Sequence, residues 1–428
     1  MKTLGLGHRF NVKGFKSSSG VMSTPPFFRS PRAEATVRLP MENLPGFSLV
    51  SDFSAGHGFG KFGSAPGTYT DDTTQGYRNG RSFKITTDGT ATATDARKTT
   101  TSFDATNKVL FIVVKFDDVS KITAFDVTIG DSTLANRWRF QTLQGSQGNL
   151  WLHSNEWQLL TIPWQAGSVT GTPNRAAITT YQIRAISSGK GVLTMNVGAI
   201  GWMNKPASIA TISADDGYAS CYTSLYPKIT ANNLCATFFV IPSELSPTIG
   251  NRLTKAQLQE MYASGRIEYG YHAAGNDQRA LTTSQLRQDI ETTLKFWKGM
   301  GIRIKCAAYP GGEEDENVSG DKVRDIYAQY FGASRMIFQG QNEIIPPADS
   351  LRLRASPYVT NVTTTATVGT DLTNCVNNGG WHIETYHELV ASGASATTQY
   401  LIADFNTNMD AVKNSGIQCK TISQALGL

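Results

Sequence analysis

Residues 209–217 read IATISADDG and residues 267–277 read IEYGYHAAGND. In each, a short apolar run stops abruptly at acids, an imidazole, small residues and glycine, as a buried strand does where it hands over to a loop that carries chemistry. Similar runs recur at 236–241, 304–308, 334–338 and 383–386. Helical patterns lie between them: 254–264, with Thr254 as a cap and Gly265 as a stop, 283–298, stopped by Gly299 and Gly301, and 321–331, ended by Gly332. Strand, helix, strand repetition over residues 204–428 predicts a parallel sheet, open or closed into a barrel. In either form the reactive groups gather at the carboxyl ends of the strands.

Working outward, residues 45–203 have a different character. Short β-branched and aromatic runs, such as 109–116, 123–129, 157–164 and 192–202, alternate with clusters of Gly, Ser, Asn and Asp, which predicts an antiparallel, jelly-roll-like β-sandwich. Five of the seven tryptophans fall there: Trp138, Trp151, Trp157, Trp164 and Trp202. They either fill the sandwich core or offer flat faces on which sugar rings stack, as in a carbohydrate-binding module. Residues 1–44 contain the stretches KSSSG and STPPFFRSP without periodicity and read as an attachment arm.

The formal net charge of +5 hints at nucleic acid until it is localised. Residues 1–40 alone carry a formal +6, in a segment rich in Ser, Gly and Pro, whereas a polyanion-binding face is a stripe on a folded domain. No nucleic-acid partner is therefore expected. No Gly-rich phosphate loop of the required spacing occurs. No window approaches the ~18 consecutive apolar residues of a membrane span, so no membrane partner is expected, and the N-terminus lacks the apolar run of a secretory signal. The five cysteines, Cys221, Cys235, Cys306, Cys375 and Cys419, are widely spaced with no C-x-x-C pair. They read as buried small hydrophobes in a chain folded under reducing conditions.

Adjacent carboxylates on an extended segment point to opposite sides, so Asp215 and Asp216 can serve different partners, one a cation and the other a proton. Alone, Asp-Asp-Gly is a common solvated turn, and His272 or His387 alone is an ordinary satisfied histidine. Together they mean more. A divalent metal needs a carboxylate and an imidazole from different strand ends with a position left open for water, and Asp216 with His272 supplies that start. An ester or amide hydrolase further needs a base, an oxyanion donor and an acid. Asp215, the backbone N–H groups around Gly311, and His387 fit those roles. His382 falls on the strand face opposite His387.

These residues resemble a known family, the polysaccharide deacetylases of NodB-homology type, carbohydrate esterase family four. Ser213-Ala214-Asp215-Asp216-Gly217 is similar to its Thr-Phe-Asp-Asp-Gly motif at the last three positions, and Tyr309-Pro310-Gly311-Gly312 to the Tyr-Pro-Tyr-Gly form of its third motif. The run 381–386 followed by His387 looks like its last motif. The resemblance implies an irregular (β/α)7-type barrel, a divalent metal, usually zinc, and acetyl removal from a polysaccharide. It implies Asp215 as base, Asp216 and His272 as metal ligands, His387 as acid, Gly311 as oxyanion donor and Arg335 as the residue that orients the base. Substrate contact falls to Tyr309, Pro310 and Trp381. The family's second motif is His-x-x-x-His, and here the fourth residue after His272 is Asn276. Either Asn276 ligates through its carbonyl oxygen, or Asp277 does, or the site is weakened; an oxygen ligand makes zinc less favoured against harder cations.

A basic arm, a β-rich middle and a sugar-directed enzyme in one chain without an export signal resemble bacteriophage tail spike or tail fibre proteins. That implies a homotrimer assembled in a host cytoplasm, attached to a virion through the arm and directed at an acetylated capsule or surface glycan. The alternatives are a weak or dead deacetylase scaffold that only grips polysaccharide, and a peptidoglycan deacetylase.

Overall fold

The computed structural model describes residues 41–64, 66–77, 80–143, 152–248, 250–275, 277–337 and 341–428. The arm expected at 1–44 lies outside the described residues up to residue 40, as do Trp151 and Asn276.

The middle of the chain is an antiparallel β-sandwich, as its alternating runs predict. In one sheet, Thr194–Asn204 lies between Lys108–Phe116 and Ser82–Thr86; in the other, Ile178–Ser187 lies between Ile122–Gly130 and Ala93–Phe103. Trp138, Trp164 and Trp202 are buried between the sheets. Trp202 donates its indole N–H to the Tyr181 hydroxyl at 3.0 Å, and Trp164 donates to the Lys108 carbonyl at 2.7 Å. Three of the expected stacking candidates are therefore core residues, their polar edges satisfied as burial requires.

The sandwich's last strand ends at Asn204, and a third sheet begins four residues later. Numbered from that point, its strands are β1 (Ser208–Asp216), β2 (Ala236–Val240), β3 (Ile267–Tyr271), β4 (Cys306–Ala308), β5 (Ala333–Arg335), β6 (Gly380–Tyr386) and β7 (Gln418–Cys419). All pair in parallel in the order β5-β4-β3-β2-β1-β6, with β7 alongside the start of β1. The result is the open barrel that the strand and helix alternation predicts. Its main helices are α1 (Tyr226–Ala231), α2 (Lys255–Ala263), α3 (Thr283–Gly299), α4 (Val323–Tyr327), α5 (Thr365–Asn378), α6 (Ile402–Asn414) and α7 (Ile422–Leu426). Thr254 and Thr282 form reciprocal capping boxes with Gln257 and Gln285, so α2 and α3 start where the local sequence sets them.

Period-2 alternation sorts the strand residues. Ile209, Phe239, Ala308, Trp381 and Ile383 fill the barrel interior, while Ala210, Ile212, Phe238, Tyr269 and Tyr386 meet the helices, where Leu286, Ile290 and Trp297 of α3 and Phe405 and Met409 of α6 are buried. Each large apolar side chain so buried stabilises the fold by roughly 1.5–3 kcal/mol. Three elements differ from expectation. α4 covers only the middle of 321–331, because Asp321 is drawn into a turn through its N–H bond to Asn317. β5 stops at Arg335, where the Met336 N–H turns to the Leu353 carbonyl at 2.8 Å. β6 starts three residues before the expected strand; the buried polar pair His382 and Glu384, 2.9 Å apart, disguises its first half as loop.

The two domains share an apolar seam in which Met41, Phe111 and Met203 pack with Ile344. Polar bridges flank it. Arg354 donates to the Thr161 carbonyl at 2.8 Å, Glu156 takes Lys322 at 2.7 Å and Arg324 at 3.0 Å, and His153 lies 3.1 Å from Glu314. Among the described residues no helix is long and apolar enough to cross a membrane.

Candidate active site

Five carboxyl ends of the parallel sheet deliver polar groups to one rim. β1 ends in Asp215 and Asp216, β3 leads into His272, β4 into Tyr309–Gly312, β5 ends at Arg335 and β6 leads into His387. Because all these strands run in parallel, their carboxyl ends share one side of the sheet.

Asp216 has φ +68°, the left-handed region that a β-carbon disfavours, and the Gly217 N–H bonds back to the Asp215 carbonyl at 2.9 Å. The backbone thus doubles back immediately after Asp215. Both carboxylates stay at the rim but take different partners.

Asp215 is buried, and one guanidinium nitrogen of Arg335 reaches its two oxygens at 2.6 and 2.5 Å. Arg335, itself fully buried, also donates to the Met336 carbonyl at 2.9 Å and lies over the Phe239 ring. The paired cation offsets the cost of an interior carboxylate. His387 Nε2 stands 3.7 Å from Asp215 Oδ2. Burial pushes the His387 imidazole below its ordinary value, against the pull of Asp215 and Asp216.

Tyr358, absent from the sequence reading, places its hydroxyl 3.2 Å from His387 Nε2. Its position comes from residues 357–359 running beside β6: Thr385 donates to the Pro357 carbonyl and Val359 to the Thr385 carbonyl. Nothing in the loop sequence Ser356-Pro357-Tyr358 marks it, since only pairing with β6 brings it to the site.

Asp216 Oδ1 lies 3.4 Å from His272 Nε2. His272 Nδ1 is 3.0 Å from the Ala308 carbonyl; a carbonyl only accepts, so Nδ1 carries the hydrogen and Nε2 faces Asp216. Burial alone would raise the Asp216 carboxyl, yet His272, His387 and Arg252 hold it below the ordinary range. Burial alone would lower His272, yet Asp216 and Asp215 lift it above its ordinary value. A carboxylate beside an imidazole whose far nitrogen is anchored to a backbone carbonyl suits a divalent cation. Asp216 and His272 could hold one. Among the described residues no group of three acidic, imidazole or thiol donors surrounds such a point. Asp277 does not join the pair: it caps the turn at Gln278–Ala280, and its carboxylate pairs with Arg279 at 3.0 Å.

The loop after β4 needs its two glycines. Gly311 has φ +61° and Gly312 +75°, and a β-carbon on Gly312 would stand 2.6 Å from Ile337. Gly311 is exposed at the rim. Three side chains expected at the substrate lie elsewhere. Tyr309 is buried and stacks on Tyr327 at 4.6 Å, and Pro310 is buried beside it. Trp381 is fully buried in the barrel interior, where its indole N–H donates to Thr211 at 2.9 Å. It sits six residues before His387, roughly 20 Å down the strand from the rim, too deep to meet a polymer there.

Acids, imidazoles and a guanidinium collected in this way at the rim of an α/β barrel define a hydrolase, built to direct water at an electrophilic carbon. The comparisons narrow the class. Residues 203–329 match the family model described as polysaccharide deacetylase. The matched stretch holds Asp215, Asp216, His272 and Gly311; Arg335, Tyr358 and His387 follow it. No curated protein matches the chain. Among solved structures, a family 4 acetyl xylan esterase from Clostridium thermocellum in complex with a cobalt ion is 17% identical, covers 51% of this chain and 90% of that one, and has a TM-score of 0.35. The BpsB deacetylase domain from Bordetella bronchiseptica is 23% identical over 34% of this chain and 70% of that one, with a TM-score of 0.28. A family 11 carbohydrate-binding module of a Clostridium thermocellum cellulase is 11% identical over 37% and 95%, with a TM-score of 0.29.

Proposed function

We propose that this chain hydrolyses acetyl groups from an acetylated polysaccharide. The observation that carries the reading is the buried Asp215, gripped by Arg335 and approached by His387, beside the Asp216 and His272 pair. Asp216 and His272 would hold a divalent ion, zinc in this proposal, which when bound would supply Lewis acidity toward the acetyl carbonyl and the attacking water. Asp215 takes the proton of the attacking water at its carboxylate. Arg335 offsets the charge of that carboxylate and fixes its direction. The backbone N–H of Gly311 donates to the oxygen on which charge develops. His387 delivers a proton to the departing sugar oxygen or nitrogen, and Tyr358 holds the imidazole in place. Acetate is the second product.

The test is acetate release from a panel of O-acetylated and N-acetylated glycans, peptidoglycan included, by the wild type and Asp215→Asn. Release by the wild type and loss of roughly 10²–10⁴-fold in the variant supports the reading; no release by either overturns it. One observation favours a second reading, a scaffold that grips polysaccharide without cleaving it: the described residues offer two metal donors, not three. Glycan binding without acetate release from any glycan of the panel identifies that case.

The setting proposed for this activity is a phage tail spike, made in a host cytoplasm, trimeric, and attached to a virion through residues 1–44. Its support is the basic, Ser-, Gly- and Pro-rich composition of residues 1–40. Light scattering of the full chain tests the trimer.

A further inference from the structure

Two cysteines far apart in sequence meet at the amino ends of the barrel strands. β6 occupies one edge of β1 along its length, so β7 and β2 share the other: Cys419 pairs with Ala210, and Ala236, the first residue of β2, pairs with Ile212. Cys235 immediately precedes β2. At this junction the Cys235 and Cys419 sulfurs are 3.7 Å apart. The Cys235 N–H points at Cys419 Sγ from 3.4 Å, and Cys419 Sγ lies 3.2 Å from the Cys235 carbonyl. Cys221, Cys306 and Cys375 are buried, and Cys419 is the more exposed member of the pair.

We propose that Cys235 and Cys419 are a site of reversible disulfide formation that staples the C-terminal segment to the barrel. Cys419 is the thiol that reacts first, being partly exposed and receiving the Cys235 N–H, which favours its thiolate. Hydrogen bonds from Cys235 lower the Cys419 thiol, while the same contact and burial raise that of Cys235. With oxidised glutathione as oxidant, the Cys419 thiolate attacks one sulfur, forming a mixed disulfide and expelling one glutathione thiolate. The Cys235 thiolate then attacks Cys419 Sγ and expels the second. The two protein thiols lose two electrons and two protons; one oxidised glutathione gains both and leaves as two thiols.

The bond would close a loop reaching from β2 to β7. It would also pin α7, whose Ile422 plugs the barrel interior and whose Ser423 N–H is held by Glu268 at 3.1 Å. Ala210 lies five residues before Asp215 on β1, about 16 Å away, so the staple acts on stability and leaves the catalytic rim alone.

The experiment treats the full chain with oxidised glutathione, then maps disulfides by peptide mass and melts the product with and without reductant. The expected result is one link joining the Cys235 and Cys419 peptides, loss of the mass of two hydrogens, two of the five thiols blocked and three still titratable in denaturant. Tm rises by several degrees and returns with reductant. Cys235→Ser and Cys419→Ser each abolish the rise while melting as the reduced wild type does. A stable mixed disulfide at Cys419, a link between other cysteines, or a linked protein that melts no higher than the reduced one overturns the proposal.

Discussion

One nitrogen of the Arg335 guanidinium bridges both oxygens of Asp215, and neither residue has appreciable access to solvent. A buried carboxylate that loses its paired cation is left uncompensated, which typically costs 3–5 kcal/mol. Arg335→Met is therefore expected to lower Tm and to reduce acetate release. Arg335→Lys keeps a charge but loses the guanidinium's reach. It should melt closer to the wild type while kcat still falls about tenfold or more, the rate change of a ~1.4 kcal/mol loss. Equal activity of all three proteins would remove Asp215 from the mechanism.

Tyr358 and His387 form the second relationship to probe. Removing one neutral hydrogen bond costs about 1 kcal/mol, so Tyr358→Phe should slow acetate release several-fold with little change in KM. A proton donor works only while protonated, and burial holds His387 below its ordinary 6.5. The rate is expected to fall as pH rises through that lowered value, placing the descending limb on the acid side of 6.5. A pH profile of kcat/KM, with His387→Ala as the control that loses the limb, checks both statements.

Metal dependence turns on Asp216 and His272. Dialysis against a chelator should abolish acetate release and a divalent ion should restore it. Asp216→Ala and His272→Ala should each prevent metal uptake, read directly as metal content per chain. Full metal content in both variants would place the ion elsewhere.

His153 of the sandwich and Arg352 of the barrel converge on Glu314, three residues after Gly311. Although burial pushes that carboxyl up, Arg352 and His153 hold it down at about 2. A depressed carboxyl contributes stability that is complete above its ordinary 4.5 and is lost as pH falls from there toward 2. The difference corresponds to about 3 kcal/mol. Melting between pH 6 and pH 2.5 should therefore show a steep loss that Glu314→Gln flattens. A wild type and variant with the same slope would dismiss Glu314 as the acid-sensitive group.

Trp381 lies in the barrel interior and not at the rim. As a core residue its truncation to Ala should cost about 3–5 kcal/mol, whereas Trp381→Phe should keep KM unchanged. A KM rise without destabilisation would return it to the substrate.

Much of the site is local in origin and so was readable along the chain. Asp215, Asp216, His272 and His387 each terminate an apolar run, and burial of that run dictates both the strand and the point at which it ends. Thr254 and Thr282 mark helix starts for the same reason, since a cap needs only the next three residues. The face on which a residue lies was less secure where polar groups sit inside: His382 and Glu384 satisfy one another in β6, so hydrophobicity alone hid half the strand.

Other features have no local cause. Tyr358 reaches His387 because a loop runs beside β6, Glu314 is held low by Arg352 together with a histidine from another domain, and Cys235 meets Cys419 because two short strands share one edge of β1. Trp381, assigned to substrate contact by the family resemblance, fills the barrel interior instead. Alternation and capping act over a few residues and are written in order along the chain. Which strand edges are shared, and what lies across a domain seam, depend on how the whole polymer excludes water, and only the assembled fold resolves that.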